Sequence, residues 1–419
     1  MTDVFMLLGA PNKTAVQSKM ENVILFETEL ANITTPQEDR RDERKMYHKM
    51  TLANLIRDYP RSTLCAHALP RILNDYMLWH LVGDFASLLS KPFREAKQKF
   101  HEILTGTKGN EDAWYTCISD TDSVLGFAVG ALFVEETFKG GSKEKAKEMI
   151  ENVRTAFTDN LPNLDWMDDA TRAAALDKAN AVTDMIGYPN YILDHAKLDK
   201  KYEDLKINKS DYFNNNLAYT QYIFKKSYEK LRKTPLNEWA MSPPTVNAYY
   251  TPSKNTIVFP AGILQAPFYD QNFPKSLNYG AMGVVMGHEL THGFDDQGRE
   301  YDKYGNMKSW WGADAVKKFK QKSQCMIDQY NNFELHGEHE RGKQTLGENI
   351  ADNGGLKSAY NVWCWNSKPE SDHMQILTDP HSPPKFRVIG TLSNSEDFNK
   401  EFKCKSSAKM NPKKKCEIW

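Results

Sequence analysis

Apolar residues recur every three to four positions through most of the first half of the chain, the spacing that places them on one face of an α-helix. In residues 13–34 this face includes Val16, Met20 and Val23, and the sequence Thr34-Thr35-Pro36 ends the pattern. The first half is therefore predicted to be helical. The predicted helices cover about residues 13–34, 50–57, 72–104, 112–138, 142–160, 167–186 and 209–233.

The pattern changes near residue 235, where Pro235, Pro243 and Pro244 interrupt the helical spacing. Residues 246–250 and 255–260 are predicted to pair as a β-hairpin around a four-residue loop. The hairpin is either an ordinary structural element or an edge that holds an extended peptide. Helical spacing returns at residues 313–330 and 347–355. We predict a helical domain at residues 1–235, a second domain at 236–419, and a mainly α fold with a small β component.

Composition limits the classes of function. The 419 residues carry a net charge of −1, which gives no general electrostatic attraction to nucleic acid. The 9 Trp, 19 Tyr and 20 Phe favour a folded globule. Mean hydropathy is −0.64, and no uninterrupted apolar run is long enough to cross a bilayer. We therefore expect no membrane segment within this sequence.

The cysteines bear on the cellular compartment. Their wide spacing fits long-range disulfides in an oxidising compartment, although a reduced cytosolic chain with buried thiols also fits. Glycosylation triplets at Asn12, Asn32 and Asn208 favour the extracellular alternative. The six cysteines are Cys65, Cys117, Cys325, Cys364, Cys404 and Cys416.

Candidate chemistry is concentrated in residues 284–296, where an apolar helix contains the sequence His288-Glu289-Leu290-Thr291-His292. Side chains four residues apart share a helix face, so His288 and His292 can bind one zinc ion. Glu289 lies beside them and is the candidate general base for a water molecule. The alternative is a chance match, which requires no further partners elsewhere in the chain.

Further partners do occur downstream. Glu348 and Asp352 share one face of the predicted helix 347–355, and they fit a third zinc ligand and a carboxylate that orients a ligand histidine. A solvated helix face is the alternative when the pair is considered alone. His381 lies in a loop stiffened by prolines, and alone it would more often be a surface histidine than a catalytic one.

Six motifs in order together resemble the neprilysin family of zinc metallopeptidases. The resemblance covers nearly the whole chain, from about residue 22, and implies a two-lobed molecule with a thermolysin-like catalytic lobe and a helical lobe. The motifs are residues 246–250, 259–265, 287–298 and 347–355, the pair of segments 381–383 and 386–387, and residues 416–419.

The resemblance also implies roles for individual residues. One Zn²⁺ per chain is expected on His288, His292 and Glu348, with Glu289 polarising a water and Asp352 orienting a ligand. His381 is expected to hydrogen-bond the developing oxyanion, and Arg387 to grip a substrate carbonyl. The remaining residues with an implied role bind the peptide backbone (Asn247, Ala248) or line the pocket for the residue after the cut (Ile263, Phe268, Val285, Val362, Trp363).

The implied reaction is hydrolysis of short peptides on the amino side of hydrophobic residues. The alternative is a zinc-binding but catalytically impaired homologue that binds peptides, because segments present in the family are missing near residues 58–72 and after Tyr360. Family members are usually membrane-anchored with an extracellular domain, within which this chain is expected to begin. By resemblance Cys325 pairs with Cys416, whereas the family partners of Cys117, Cys364 and Cys404 are expected in an N-terminal region that this sequence does not include.

Overall fold

The computed structural model describes residues 1–58, 70–109, 112–231, 233, 238–356, 369–406 and 408–419, apart from the side chains of Ile56 and residues 369–372. The chain divides into two compact units, one comprising Met1–Glu111 with Lys206–Thr220, the other Asp112–Leu205 with Gln221–Trp419. The predicted domain boundary at 235/236 falls outside the described residues and stays a prediction.

The first unit is built from helices. Asn12 begins the long helix Lys13–Ile33 (α2) by accepting a hydrogen bond from the Ala15 backbone N–H at 3.0 Å. The edge of the Phe26 ring packs against Tyr76, with ring centroids 5.1 Å apart, which joins α2 to the helix Pro70–Phe85 (α5). The helices are Thr2–Leu7 (α1), Lys13–Ile33 (α2), Glu43–Met46 (α3), Leu52–Asp58 (α4), Pro70–Phe85 (α5) and Lys91–Thr105 (α6), with 3-10 turns at Gln37–Asp39 and Ala86–Leu88.

The second unit contains the remaining helices and all the described strands. Its first helices are Ala113–Thr137 (α7), Ser142–Asn160 (α8), Asp169–Asn180 (α9), His195–Tyr202 (α10) and Tyr212–Glu229 (α11, which begins in the first unit). Those that follow are Lys275–Asn278 (α12), Val284–His292 (α13), Ala313–Asn331 (α14), Leu346–Leu356 (α15), Pro369–Thr378 (α16), Pro384–Asn394 (α17) and Glu396–Glu401 (α18). The strands are Thr183–Gly187 (β1), Tyr249–Thr251 (β2), Thr256–Pro260 (β3), Glu334–Leu335 (β4) and Glu338–His339 (β5).

A small three-stranded sheet has the order β1-β3-β2. The predicted hairpin is confirmed, because β2 pairs antiparallel with β3 and Thr251 lies opposite Thr256. The prediction of a single helix at 167–186 is wrong at its end. Residues 183–187 form β1, parallel to the buried β3, since β-branched Thr183 and Ile186 suit a strand better than the alanine-rich segment before them does. The mainly α fold with a small β component is confirmed.

Helix α7 changes the expectation about membrane segments. It has 25 residues, and an 18-residue window within it has a mean hydropathy of 1.5, so its length and composition would allow it to cross a membrane. Asp120 and Asp122 interrupt the apolar run, which is why a search for an uninterrupted run passes over it. Core helices of globular proteins meet the same criterion, so composition alone decides nothing here.

The C-terminus is anchored in an aromatic core of the second unit. Trp419 is 5% exposed and packs against Trp166 and Phe294, while the indole N–H of Trp166 donates to the Ile418 carbonyl at 3.0 Å. The disulfide between Cys325 and Cys416 links α14 to the same terminal segment, as the resemblance implied. Cys117 and Cys404 are free thiols, while Cys65 and Cys364 lie outside the described residues.

Candidate active site

Two helices of the second unit, α13 and α15, lie in close contact and carry the predicted metal ligands. Gly355 makes this approach possible, because a Cβ at that position would lie 2.7 Å from the Val284 carbonyl oxygen and 2.8 Å from the His288 nitrogen. With no side chain in the way, α15 brings Glu348 to the histidine-bearing face of α13. The helix contact therefore assembles ligands that are distant in sequence.

The side chains of His288, His292 and Glu348 converge on one point. The Nε2 atoms of the two histidines are 2.9 Å apart, and Glu348 Oε2 lies 3.2 Å from His288 Nε2 and 3.5 Å from His292 Nε2. Donors about 2.0–2.1 Å from a tetrahedral zinc ion are separated by about 3.3 Å. The three ligand atoms thus have the spacing of such a site.

The electrostatics of the cluster also fit a cation. Glu348 Oε2 is buried and makes no hydrogen bond to any residue within the described ranges, although imidazole nitrogens surround it. Burial alone raises the pKa of Glu348, but the neighbouring His292 and His288 lower it well below its usual range. An ionised carboxylate and two imidazoles are a common ligand set for catalytic zinc, and here they fit one Zn²⁺.

Each histidine has a carboxylate behind it. Asp352 Oδ1 lies 3.0 Å from His288 Nδ1, and Asp295 Oδ2 lies 2.8 Å from His292 Nδ1. Because an ionised carboxylate only accepts hydrogen bonds, both Nδ1 atoms carry the proton and both Nε2 atoms are left to bind a metal. The two carboxylates therefore fix the tautomer and orientation of both candidate ligands.

Arg387 on α17 forms a bidentate ion pair with Asp352. Its Nε and Nη2 donate to the two Asp352 oxygens at 2.7 and 2.6 Å. Burial raises the pKa of Asp352, but the Arg387 charge and these hydrogen bonds outweigh burial and bring the pKa to about 2. Arg387 thus lies directly behind the His288 side of the site, and its predicted contact with a substrate carbonyl stays a prediction.

Glu289 follows His288 on α13 and is 6% exposed. Burial raises the pKa of its carboxyl group, although the nearby histidines act in the opposite direction. A raised pKa makes the carboxylate a stronger base. This is the direction of shift that a general base operating near neutral pH requires.

His381 comes to the site from the loop before α17. Its Nε2 lies 3.2 Å from Glu348 Oε2, while Asp379 Oδ1 accepts hydrogen bonds at 2.8 Å from both the backbone N–H and Nδ1 of His381. The next residue, Ser382, is fully buried and its hydroxyl donates to Asn349 Oδ1 on α15 at 2.7 Å. These contacts hold His381 beside the candidate metal ligands.

The predicted substrate residues divide into three groups. Asn247 and Ala248 directly precede β2, an edge strand of the sheet, and Asn247 is exposed. Ile263, Phe268 and Val285 belong to one apolar cluster, in which Ile263 is buried and the other two are partly buried. Val362 and Trp363 lie outside the described residues, so their predicted place in the pocket stays a prediction.

Comparison with models of known protein families identifies the family of this chain. Two models described as peptidase family M13 match it, one at residues 247–362 and 360–418, and an N-terminal one at residues 1–67 and 61–189. The chain belongs to peptidase family M13. The N-terminal match restarts at residues 61–67 and the other match restarts at residues 360–362. These positions are close to the two places where family segments are expected to be missing.

Similarity to individual M13 proteins supports the same family assignment. The endothelin-converting enzyme homolog of Locusta migratoria is 47% identical, with 100% of this chain and 68% of that protein covered, and neprilysin-3 of Drosophila melanogaster is 45% identical, with 100% and 63% covered. The structure of zinc metalloprotease Zmp1 of Mycobacterium tuberculosis in complex with an inhibitor matches with a TM-score of 0.84 at 28% identity, covering 100% of this chain and 73% of that one. This M13 chain thus spans about two thirds of the length of its curated relatives.

Two site residues were not singled out from the sequence. Asp295 lies three residues after His292 in the same motif, and the rule that assigned Asp352 to one ligand histidine also predicts a carboxylate for the other. Asp379 lies two residues before His381, a spacing that suits a side chain accepting from a nearby backbone N–H. For both Asp295 and Asp379, the short distance in sequence to the partner histidine was a signal that could have identified the residue.

Proposed function

We propose that this chain is a zinc-dependent metalloendopeptidase that hydrolyses short peptides on the amino side of hydrophobic residues. The observation that carries the proposal is the convergence of His288, His292 and Glu348 at metal-ligand spacing with Glu289 on the same helix. Three protein ligands leave the fourth tetrahedral position open, which is typical of catalytic rather than structural zinc. Membership in a peptidase family supports the same reaction class.

Bound zinc would supply a Lewis acid and lower the pKa of a ligated water to about 7. Glu289 takes the proton from the attacking water and passes it to the leaving amine nitrogen. The buried position of Glu289 limits exchange of the proton with solvent.

His381 is proposed to donate a hydrogen bond to the developing oxyanion. Because Nδ1 already donates to Asp379, Nε2 carries a proton only when the ring is doubly protonated. Losing a single oxyanion donor typically costs about 3–4 kcal/mol of transition-state stabilisation.

Substrate binding is proposed to use the sheet edge and the apolar cluster. Asn247 and Ala248, directly before edge strand β2, can hydrogen-bond an extended peptide backbone. Ile263, Phe268 and Val285 would receive the hydrophobic side chain that follows the cut, since burying such a side chain stabilises the complex by about 1.5–3 kcal/mol. Arg387 would contact a substrate carbonyl from its position beside Asp352.

The second candidate is a zinc-binding homologue that binds peptides without cutting them. The interruptions of both family matches favour it, and the locust alignment runs over 493 positions for the 419 residues here, so relatives carry segments that this chain lacks. A misplacement of about 1 Å in an active site can reduce the rate about 10²-fold. The described site residues themselves show no missing catalytic group, which favours the enzyme.

The test measures zinc content, peptide binding and chelator-sensitive cleavage on one purified sample, using a short peptide with a single internal Phe. Stoichiometric zinc with cleavage before the Phe is the expected result. Tight peptide binding and stoichiometric zinc without turnover would support the second candidate. A peptide with Asp in place of Phe is the matched control for the apolar pocket, and equal cleavage of both would contradict the proposed specificity.

We further propose an extracellular location. The Cys325–Cys416 disulfide and the exposed sequons at Asn12, Asn32 and Asn208 support an oxidising, glycosylating compartment. Expression through a secretory pathway should give a chain whose gel mobility increases after glycosidase treatment. An unchanged mobility would contradict glycosylation at all three sites.

A further inference from the structure

Lys178 on α9 is a charged side chain buried in the second unit. It is 1% exposed, and its Nζ donates to three backbone carbonyls, those of Gly293 at 2.6 Å, Gly298 at 2.8 Å and Tyr301 at 2.7 Å. The ammonium also lies 5.4 Å from the centre of the Phe294 ring. Three acceptors use all three N–H donors of a lysine ammonium.

The three carbonyls belong to the segment that follows the metal-ligand helix. Gly293 comes directly after His292, the last residue of α13. Within the segment, Asp295 Oδ1 accepts hydrogen bonds from the backbone N–H groups of Gln297 at 2.8 Å and Gly298 at 2.6 Å. The other Asp295 oxygen faces His292 Nδ1. Lys178 therefore fixes both ends of the loop that presents Asp295 to a ligand histidine.

This loop lies very close to the end of α13. A Cβ on Gly298 would be 1.8 Å from the His292 carbonyl oxygen, so the backbone of Gly298 lies against His292 itself. A small displacement of Gly298 would consequently move the N–H that holds Asp295. The Lys178 hydrogen bond to the Gly298 carbonyl opposes that displacement.

We propose that Lys178 is a positioning residue for the metal ligand His292, acting through the 293–301 backbone and Asp295. The inference rests on the proposed function, since it takes His292 to be a zinc ligand. Removing the ammonium would leave three carbonyls without their donor and release the loop, so that Asp295 no longer holds the His292 ring in one orientation. The expected consequence is weaker metal binding.

The three backbone carbonyls that accept from Lys178 favour its charged form, whereas burial opposes it. Burial lowers the pKa of Lys178 to about 7, while the nearby carboxylates of Asp295 and Asp302 act in the opposite direction. A neutral amine has only two N–H donors and would leave one of the three carbonyls unsatisfied. The geometry therefore favours the ammonium form.

The same helix offers a matched control. Arg172, which precedes Lys178 on α9, donates to three backbone carbonyls, those of Leu161, Leu164 and Met167. These acceptors lie in a segment that carries no candidate metal ligand. Arg172→Met therefore removes a cation with the same kind of structural role, and a purely structural function for Lys178 predicts similar effects for both substitutions.

The experiment measures zinc affinity by competition with a chromophoric chelator for the full chain, Lys178→Met, Asp295→Asn, the double variant and Arg172→Met. We expect Lys178→Met and Asp295→Asn each to weaken zinc binding about 10–100-fold, the range typical of groups that orient a metal ligand. Because Lys178 acts through Asp295, the Lys178→Met/Asp295→Asn double variant should have about the same zinc affinity as whichever single variant binds zinc less tightly. Arg172→Met should lower the urea midpoint and leave zinc affinity unchanged.

Several outcomes would overturn the inference. Unchanged zinc affinity in Lys178→Met, fully additive losses in the double variant, or an equal loss in Arg172→Met would each do so. If Lys178→Met does not fold, Lys178→Gln, which retains a shorter N–H donor, is measured in its place with the same expected direction. If the unmodified chain binds no zinc, the proposed function itself fails, which is distinguishable from a failure of the Lys178 inference alone.

Discussion

Replacing Asp352 with asparagine tests the electrostatics behind the metal site. The pKa of Asp352 is lowered from 3.8 to about 2, mainly because the Arg387 charge outweighs burial. At about 1.4 kcal/mol per pKa unit, this shift corresponds to about 2.5 kcal/mol in favour of the ionised side chain. Since the folded-state pKa is depressed, this stability is fully present above about pH 4 and is lost as pH falls through about 2.

At pH 7, Asp352→Asn should therefore lower the free energy of unfolding of the metal-free protein by about 2–3 kcal/mol. Little further cost is expected from Arg387, because its side chain is 34% exposed and can turn to water. The second expected effect is functional. Without a carboxylate at Nδ1 of His288, zinc affinity should fall about 10–100-fold.

Urea denaturation gives the first quantity and chelator competition the second. Asp184→Asn is the control, because Asp184 also pairs with a partly buried arginine, Arg154, and does not contact the candidate ligand histidines. The control should change stability without changing zinc affinity. If Asp352→Asn unfolds within about 0.5 kcal/mol of the unmodified chain and binds zinc equally well, the reasoning about this carboxylate is refuted.

Two further predictions concern the second unit. Glu340 is 3% exposed, and burial raises its pKa to about 7. Its contribution to stability is therefore full below about pH 4.5 and is lost as pH rises through 7. At pH 8, urea denaturation should show Glu340→Gln to be about 3 kcal/mol more stable than the unmodified chain. The Cys325–Cys416 disulfide spans 91 residues, and replacing both cysteines with serine should cost about 2–4 kcal/mol by the same measurement.

Each of these predictions has a clear contrary result. For Glu340, the stability difference from the glutamine variant should shrink as pH is lowered from 8 to 5, and a difference independent of pH would rule out titration of Glu340 as its cause. For the disulfide, an unchanged urea midpoint in the double serine variant would show that the terminal segment 416–419 is held by its aromatic packing alone.

The sequence predicted the elements whose signal is local. Helical spacing located α2 and α8 within a residue or so, because a continuous apolar face is sufficient to define an amphipathic helix. Strand β1 was missed because five residues with two β-branched side chains fit the end of a helical pattern, and only pairing with the distant β3 decides the matter. Long-range pairing of this kind leaves no periodic signal in one sequence.

In the candidate site, too, features with a local sequence signal could be predicted and long-range contacts could not. The spacing of His288 and His292 placed both ligands on one face, and Asp352 could be assigned because helix geometry relates it to Glu348. The role of Lys178 could not be predicted, because its three partners are main-chain carbonyls and any residue type supplies a carbonyl. A contact between a side chain and a distant backbone becomes visible only in three dimensions.

The central claim is that Glu289 transfers the proton in zinc-dependent peptide hydrolysis. It is tested most directly by comparing the cleavage rate per bound zinc of the unmodified chain with that of Glu289→Gln, which retains the shape of the side chain but cannot take up a proton. The account predicts equal zinc stoichiometry and a rate lower by at least about 10²-fold, since general base catalysis typically contributes about 10²–10⁴-fold. Cleavage by Glu289→Gln at close to the unmodified rate would contradict it.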